Sequence, residues 1–222
     1  MINWIGVKLT LPNILMSMLI LLLPLQIIAI RKKSMFMNIN CSSSIRFSFF
    51  EAVLLFYVVL KLLYSFFEAI IKPVDVWDSF AFHLLKSKAI FLEQTISPDT
   101  LRYISGGGGY QMNIPINVSW IYICLGQWND ALGQALFPLL FICIVGLFFS
   151  TLARYVSRLN SLVGIFIVTS LPFVVFHSTI SYSDLPVAIY NLAAVLFLFN
   201  YIKTMNYKYV WIASLLSACA LW

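Results

Sequence analysis

The feature that leaves this chain the fewest options is a series of apolar runs, each as long as a bilayer crossing. Five fall at about 12–30, 48–71, 133–152, 161–180 and 185–202. A helix needs about 20 mainly apolar residues to cross a hydrocarbon core of about 30 Å. A sixth run begins at Tyr209 and continues to Trp222. As a helix it rises only about 21 Å, short of that thickness, so the sequence is expected to stop inside a helix, as the N-terminal part of a longer protein or a truncated product would. Composition agrees: 62% of the residues are hydrophobic and 10% charged, against about 45–50% and 25% in a soluble domain. The predicted fold is all-α: a polytopic transmembrane helix bundle of about five full spans plus a truncated sixth, forming a single transmembrane domain over 1–222.

The first run is too long for a signal-peptide core, and Arg31, Lys32 and Lys33 follow it where small residues would mark a cleavage site. It reads as a retained span. The net charge of +6 does not point to nucleic acid, because the basic residues sit between apolar runs and not on one face. They instead set the orientation. With the N-terminus outside, the inner loops hold Arg31, Lys32, Lys33, Arg46, Arg154, Arg158, Lys203 and Lys208 and no acid. Glu68, Asp75, Asp78, Glu93, Asp99, Asp130 and Asp184 then fall outside or near the outer ends, and only Glu51 lies near an inner end. That is the positive-inside pattern, with 31–47 inside and 72–132 outside. The four cysteines, Cys41, Cys124, Cys143 and Cys219, include no CxxC pair and suggest neither a zinc site nor a disulfide framework.

The external segment 72–132 has its own pattern. From Trp77 to Leu92 the apolar residues Trp77, Phe80, Ala81, Leu84, Leu85, Phe91 and Leu92 recur at helical spacing, with Ser79, His83, Lys86, Ser87 and Glu93 on the other side. This predicts an amphipathic helix lying on the outer membrane surface, its polar face toward water, with Asp78 at its start as a possible cap. A Gly106–Gly109 run follows, read as a hinge or a plain loop. The stretch 116–128 is apolar but too short to span, and is expected to form a second interfacial helix.

Several of these residues suit chemistry at a membrane face. Asp75 and Asp78 follow the second run; a carboxylate there suits general-base work or a metal, the plain alternatives being a solvated loop acid and a helix cap. His83, one turn on, suits phosphate orientation or proton relay. Lys86, Lys88 and Arg102 are external cations fit for a lipid-linked phosphate or for snorkelling to headgroups. Asp184, before Leu185-Pro186, suits an N-cap and is placed to face the same outer cavity as Asp78. Lys61 lies within the second run, where a charge is expensive. It is expected to pair with Glu68 or Glu51 or to face the bundle interior.

Three stretches resemble the polytopic, polyprenyl-phosphate-sugar-dependent glycosyltransferases of the GT-C fold, in the bacterial protein-mannosyltransferase-like and lipid A arabinosyltransferase-like branch. Trp77-Asp78-Ser79-Phe80-Ala81-Phe82-His83-Leu84, continuing through Lys86 and Lys88, is similar to the start of that family's first external loop. Tyr110-Gln111-Met112-Asn113-Ile114-Pro115-Ile116 is similar to its His/Asp-Tyr-Pro-Leu stretch, with Asn113 where many members have an acid. Tyr182-Ser183-Asp184-Leu185-Pro186-Val187-Ala188 is similar to its Tyr-x-Asp-Leu-Pro turn, and Ala220-Leu221-Trp222 to the point where members continue toward a Thr-Lys-x-Glu-Gly segment. The resemblance covers about 70–222.

What the resemblance implies is an enzyme of the bacterial cytoplasmic membrane and cell envelope. It transfers a hexose or pentose from a polyprenyl-phosphate donor to a glycan, lipid or protein acceptor at the outer face. In that reading Asp78 is the catalytic base, and His83, Lys86 and Lys88 stabilise the departing phosphate. Asp184 supports the site, and Asp75 and Arg102 are further substrate-binding candidates. No protein metal site is expected; whether a divalent metal takes part is left open. The rivals are a transporter or flippase fragment that uses Lys61 and Glu68 as a coupling pair, and a non-catalytic membrane subunit.

Overall fold

The computed structural model describes residues 8–19, 47–96 and 111–221, which are helical with short connections and contain no strand. The first apolar run beyond residue 19, most of the 31–47 loop, Arg102 and Gly106–Gly109 lie outside the described residues. Residues 11–19 are helical. The helices that follow are α1 (Phe49–Ile71), a π-helical turn π1 (Ser79–Leu84), α2 (Leu85–Glu93), α3 (Asn113–Leu125), α4 (Asp130–Gln134), α5 (Leu136–Leu152), α6 (Arg158–Ser170), α7 (Pro172–His177), α8 (Asp184–Thr204) and α9 (Lys208–Leu221).

Three stretches are long and apolar enough to cross a membrane: Phe49–Ile71, Asp130–Leu152 and Asp184–Thr204. They match the runs at 48–71, 133–152 and 185–202. Their outward faces are apolar: Phe56, Leu63 and Phe67 on α1, and Phe199 and Ile202 on α8, are all exposed. A soluble monomer seldom leaves so much contiguous apolar surface in water. The run at 161–180 is not one continuous helix. α6 ends at Ser170, and Pro172, which lacks a backbone donor, opens the short α7. Residues 178–183 are then irregular. α6 and α9 are apolar but shorter than a full crossing.

Local signals set the boundaries. Ser48 opens α1 with a capping box: its hydroxyl accepts from the Glu51 N–H at 3.3 Å, and the Glu51 carboxylate accepts from the Ser48 N–H at 2.8 Å. Asn129 caps α4 by accepting from the Leu132 N–H at 3.1 Å. Gly133 packs where a Cβ would come within 2.9 Å of Val118 and 3.0 Å of Tyr122, so only glycine lets α4 approach α3 this closely.

Contacts between helices sort the ends of the bundle. Arg158 at the start of α6 donates to Glu51 at the start of α1, at 2.7 and 2.8 Å. Lys203 near the end of α8 sits 3.9 Å from the Tyr155 ring after α5. Arg154, Arg158 and Lys203 therefore share one end. At the other end Ile70 and Ile71 meet Asp130 and Gln134 around one hollow, and Gln111 and Asn113 donate to the carbonyls of Ala220 and Cys219 at 3.0 and 3.3 Å. That acidic end carries Asp75, Asp78, Asp130 and Asp184. Among the described residues Glu51 is the one acid on the basic side, and Arg158 pairs with it.

Two cores hold this arrangement. Val58, Phe141, Ile144, Leu162, Ile165, Val175 and Leu185 pack between α1, α5, α6, α7 and α8. Leu84, Ile114, Val118, Tyr122 and Phe137 pack at the acidic end, joining π1 and α3 to the start of α5.

Candidate active site at the acidic end

The expected helix from Trp77 exists, but its faces do not sort as expected: Ala81 and Leu84 are buried together with most of the polar residues, and Glu93 is exposed. Its polar stripe faces the protein: Ser79, His83, Lys86 and Ser87 are buried, with Lys86 only 1% exposed. Its apolar members Trp77, Phe80 and Leu92 face outward, Trp77 being 69% exposed. The expectation of a polar face toward water is therefore corrected. Where the surroundings are lipid, the stable arrangement puts apolar groups outside and polar groups against other protein. The first turns are π-helical, a wider winding found often at functional sites; the Leu85 N–H donates to the Phe80 carbonyl five residues back.

Irregular residues 178–183 lie against this stripe. Ser178, Thr179, Ile180 and Ser181 are all buried, as non-helical backbone in such a protein must be. Small hydroxyls anchor them. Ser65 on α1 bonds Ser178 through its hydroxyl at 2.7 Å and its carbonyl at 3.1 Å, and the Ser181 N–H donates to the Ser79 hydroxyl at 3.2 Å.

This clamp brings the chemistry together. Tyr182 lies near both Asp78 and Asp184. Burial, then the charges of Asp78 and Asp184, push its phenol up, so it stays a hydrogen-bond donor. The Asp184 carboxylate lies 3.5 Å from Nε2 of His177, whose Nδ1 is 3.0 Å from the Phe173 carbonyl. His83 feels Asp78, Asp184 and Lys86. Burial and the Lys86 cation push its imidazole down to about 4, against the pull of both carboxylates. At neutral pH His83 is therefore uncharged, which removes it as a cationic partner for phosphate. Burial also lowers the Lys86 ammonium.

Neither aspartate caps a helix. Asp78 is itself in helical conformation and makes no side-chain cap bond. Asp184 is the first residue of α8, whose N-cap position is Ser183 and has no side-chain cap bond either. Neither carboxylate is taken up by a helix terminus, and both lie close enough to His83 and Tyr182 for their charges to act on them. Asp75 is different: it pairs with Lys72 at 3.3 Å on the surface. Lys88 lies 3.3 Å from the centroid of the Trp128 ring, outside the cluster. Lys61 sits over the Tyr57 and Tyr64 rings, and Glu51 is taken by Arg158, so the structure gives no Lys61–Glu68 coupling pair. Among the described residues no group of three or more metal-ligating side chains converges.

Sequence reasoning passed over His177 and the role of Tyr182. A single histidine inside an otherwise apolar run was the available signal for the first. Beside the cluster is a hollow of about 420 Å³ lined by Phe80, Trp128, Asp130 and Gln134, among others. Asp130 accepts from the Tyr122 hydroxyl at 2.8 Å and the Trp128 indole at 2.6 Å.

No protein-family model, curated protein or solved structure matches this chain.

The buried imidazole gives a test by pH. Its pKa in the folded protein, about 4, lies below the ordinary value of 6.5. Below pH 6.5 the unfolded chain binds the proton first, so stability is full above that value and is lost as pH falls through about 4. The loss is on the order of 3 kcal/mol when complete. Thermal midpoints of the purified protein should fall over this window, and His83→Gln should flatten the fall. Superimposable pH profiles for the two proteins would show that His83 is not held neutral.

Proposed function

We propose that this protein is a membrane glycosyltransferase, or a part of one, that moves a sugar from a polyprenyl-phosphate donor to an acceptor hydroxyl at the outer membrane face. The observation that carries the reading is the convergence of Asp78, Asp184, Tyr182, His177, His83 and Lys86 at one end of an apolar bundle. Sugar transfer from a lipid phosphate needs a base for the acceptor, a group to hold the departing phosphate, and access from both lipid and water. Asp78, oriented by Tyr182, is the base. Lys86 is the cation: its lowered affinity for a proton is restored when an anion arrives. His83 orients by hydrogen bonding and not by charge. Asp184, tied to His177, supports the acceptor side. The adjacent hollow, with an indole, an amide and a carboxylate, suits a sugar ring.

The motif resemblance around Asp78 and Asp184 points the same way, as does an orientation with the acidic end outside a bacterial cytoplasmic membrane. A transporter that couples Lys61 to Glu68 lacks its ion pair. The donor class is open to direct test. Membranes enriched in the protein should consume a polyprenyl-phosphate sugar and leave the matching nucleotide sugar untouched. Consumption of the nucleotide sugar alone would refute the assignment.

A further inference from the structure

The largest cationic feature outside this site lies at the opposite, basic end. A cavity of about 340 Å³ opens between the ends of α5 and α8, lined by Arg154, Tyr155, Leu196, Phe199, Asn200 and Lys203, among others. Its two cations are uncompensated: neither Arg154 nor Lys203 makes an ion pair with a described residue, whereas Arg158 nearby is bound to Glu51. Lys203 is instead held over the Tyr155 ring at 3.9 Å, which positions its ammonium without neutralising it. No acid is among the lining residues. The remaining walls divide in two. Asn200 offers a polar amide near the cations, while Leu196 and Phe199, about two turns and one turn from the helix end, give apolar surface that continues along the outward face of α8.

We infer that this cavity is a binding site for an anionic phospholipid, whose phosphate lies between Arg154 and Lys203 and whose acyl chain runs along Leu196 and Phe199. Two free cations beside apolar surface match an anionic amphiphile better than a soluble anion, which would leave the Leu196 and Phe199 surface without a partner. The position also fits. Basic pockets between helices at the basic ends of spans are where lipid headgroup phosphates are held. The inference does not depend on the proposed sugar transfer, which sits at the other end of the bundle.

Native mass spectrometry of the full chain, exchanged into mixed micelles of phosphatidylglycerol and phosphatidylcholine, tests it. The wild-type protein should retain phosphatidylglycerol in preference. R154Q/K203Q should weaken that retention by on the order of 30-fold, about fivefold for each cation near the headgroup. K208Q removes a charge at the same end but outside the cavity and should leave retention unchanged. L196W narrows the cavity, keeps both cations and should reduce retention. Equal retention of the two lipids would overturn the inference. So would an equal effect of K208Q, which would mean a general surface potential. Displacement of the lipid by millimolar glycerol phosphate would identify a soluble phosphate as the ligand and overturn it too.

Discussion

Asp78→Asn is expected to lower sugar transfer by at least about 10²-fold, the lower end of general-base contributions, in membranes where the protein supports it. Asp78 makes no cap bond, so the amide removes no helix-terminal interaction. Asn is nearly the same size and leaves the Ser181 N–H to Ser79 hydroxyl bond between π1 and the 178–183 segment in place. What it loses is the capacity to take a proton. Expression and thermal midpoint should stay close to wild type, while turnover collapses. Asp75→Asn, which breaks only a surface pair with Lys72, should be far milder. A mutant that transfers sugar at near-normal rate would make Asp78 a structural residue.

Lys86→Met should reduce turnover by about 10²-fold or more, the usual loss when one preorganised donor to a developing oxyanion is removed. Methionine fills a similar volume, and the thermal midpoint of the variant separates a loss of folding from a loss of transfer. Lys208→Met is the control, because Lys208 lies at the start of α9, at the basic end, and should contribute almost nothing to transfer. If the two variants behave alike, the phosphate is held elsewhere.

The spans at 48–71, 133–152 and 185–202 were legible because each is a long apolar run that ends beside a cation: Lys72, Arg154 and Lys203. The break in 161–180 was written in Leu171-Pro172, but hydropathy averages across a proline that a helix cannot pass. The helix at Trp77 was legible in its period and misread in its facing. Period alone says that two faces differ, and only the surroundings decide which one turns inward. Asp78 and Asp184 were singled out for their positions at two element starts. Their proximity depends on Ser65, Ser79, Ser178 and Ser181, whose contacts join residues 102 and 113 positions apart. No local pattern encodes such contacts, and His177 joined the site by the same route.

Photoaffinity labelling tests the central assignment most directly. A polyprenyl phosphate with a diazirine beside the phosphate is photolysed with the protein in membranes, and the labelled peptides are mapped. The expected result is saturable label within 77–93 or 177–184, displaced by unmodified polyprenyl phosphate and abolished by Lys86→Met. Label confined to the Arg154 and Lys203 end, or label in the 77–93 helix that Lys86→Met leaves intact, would contradict it.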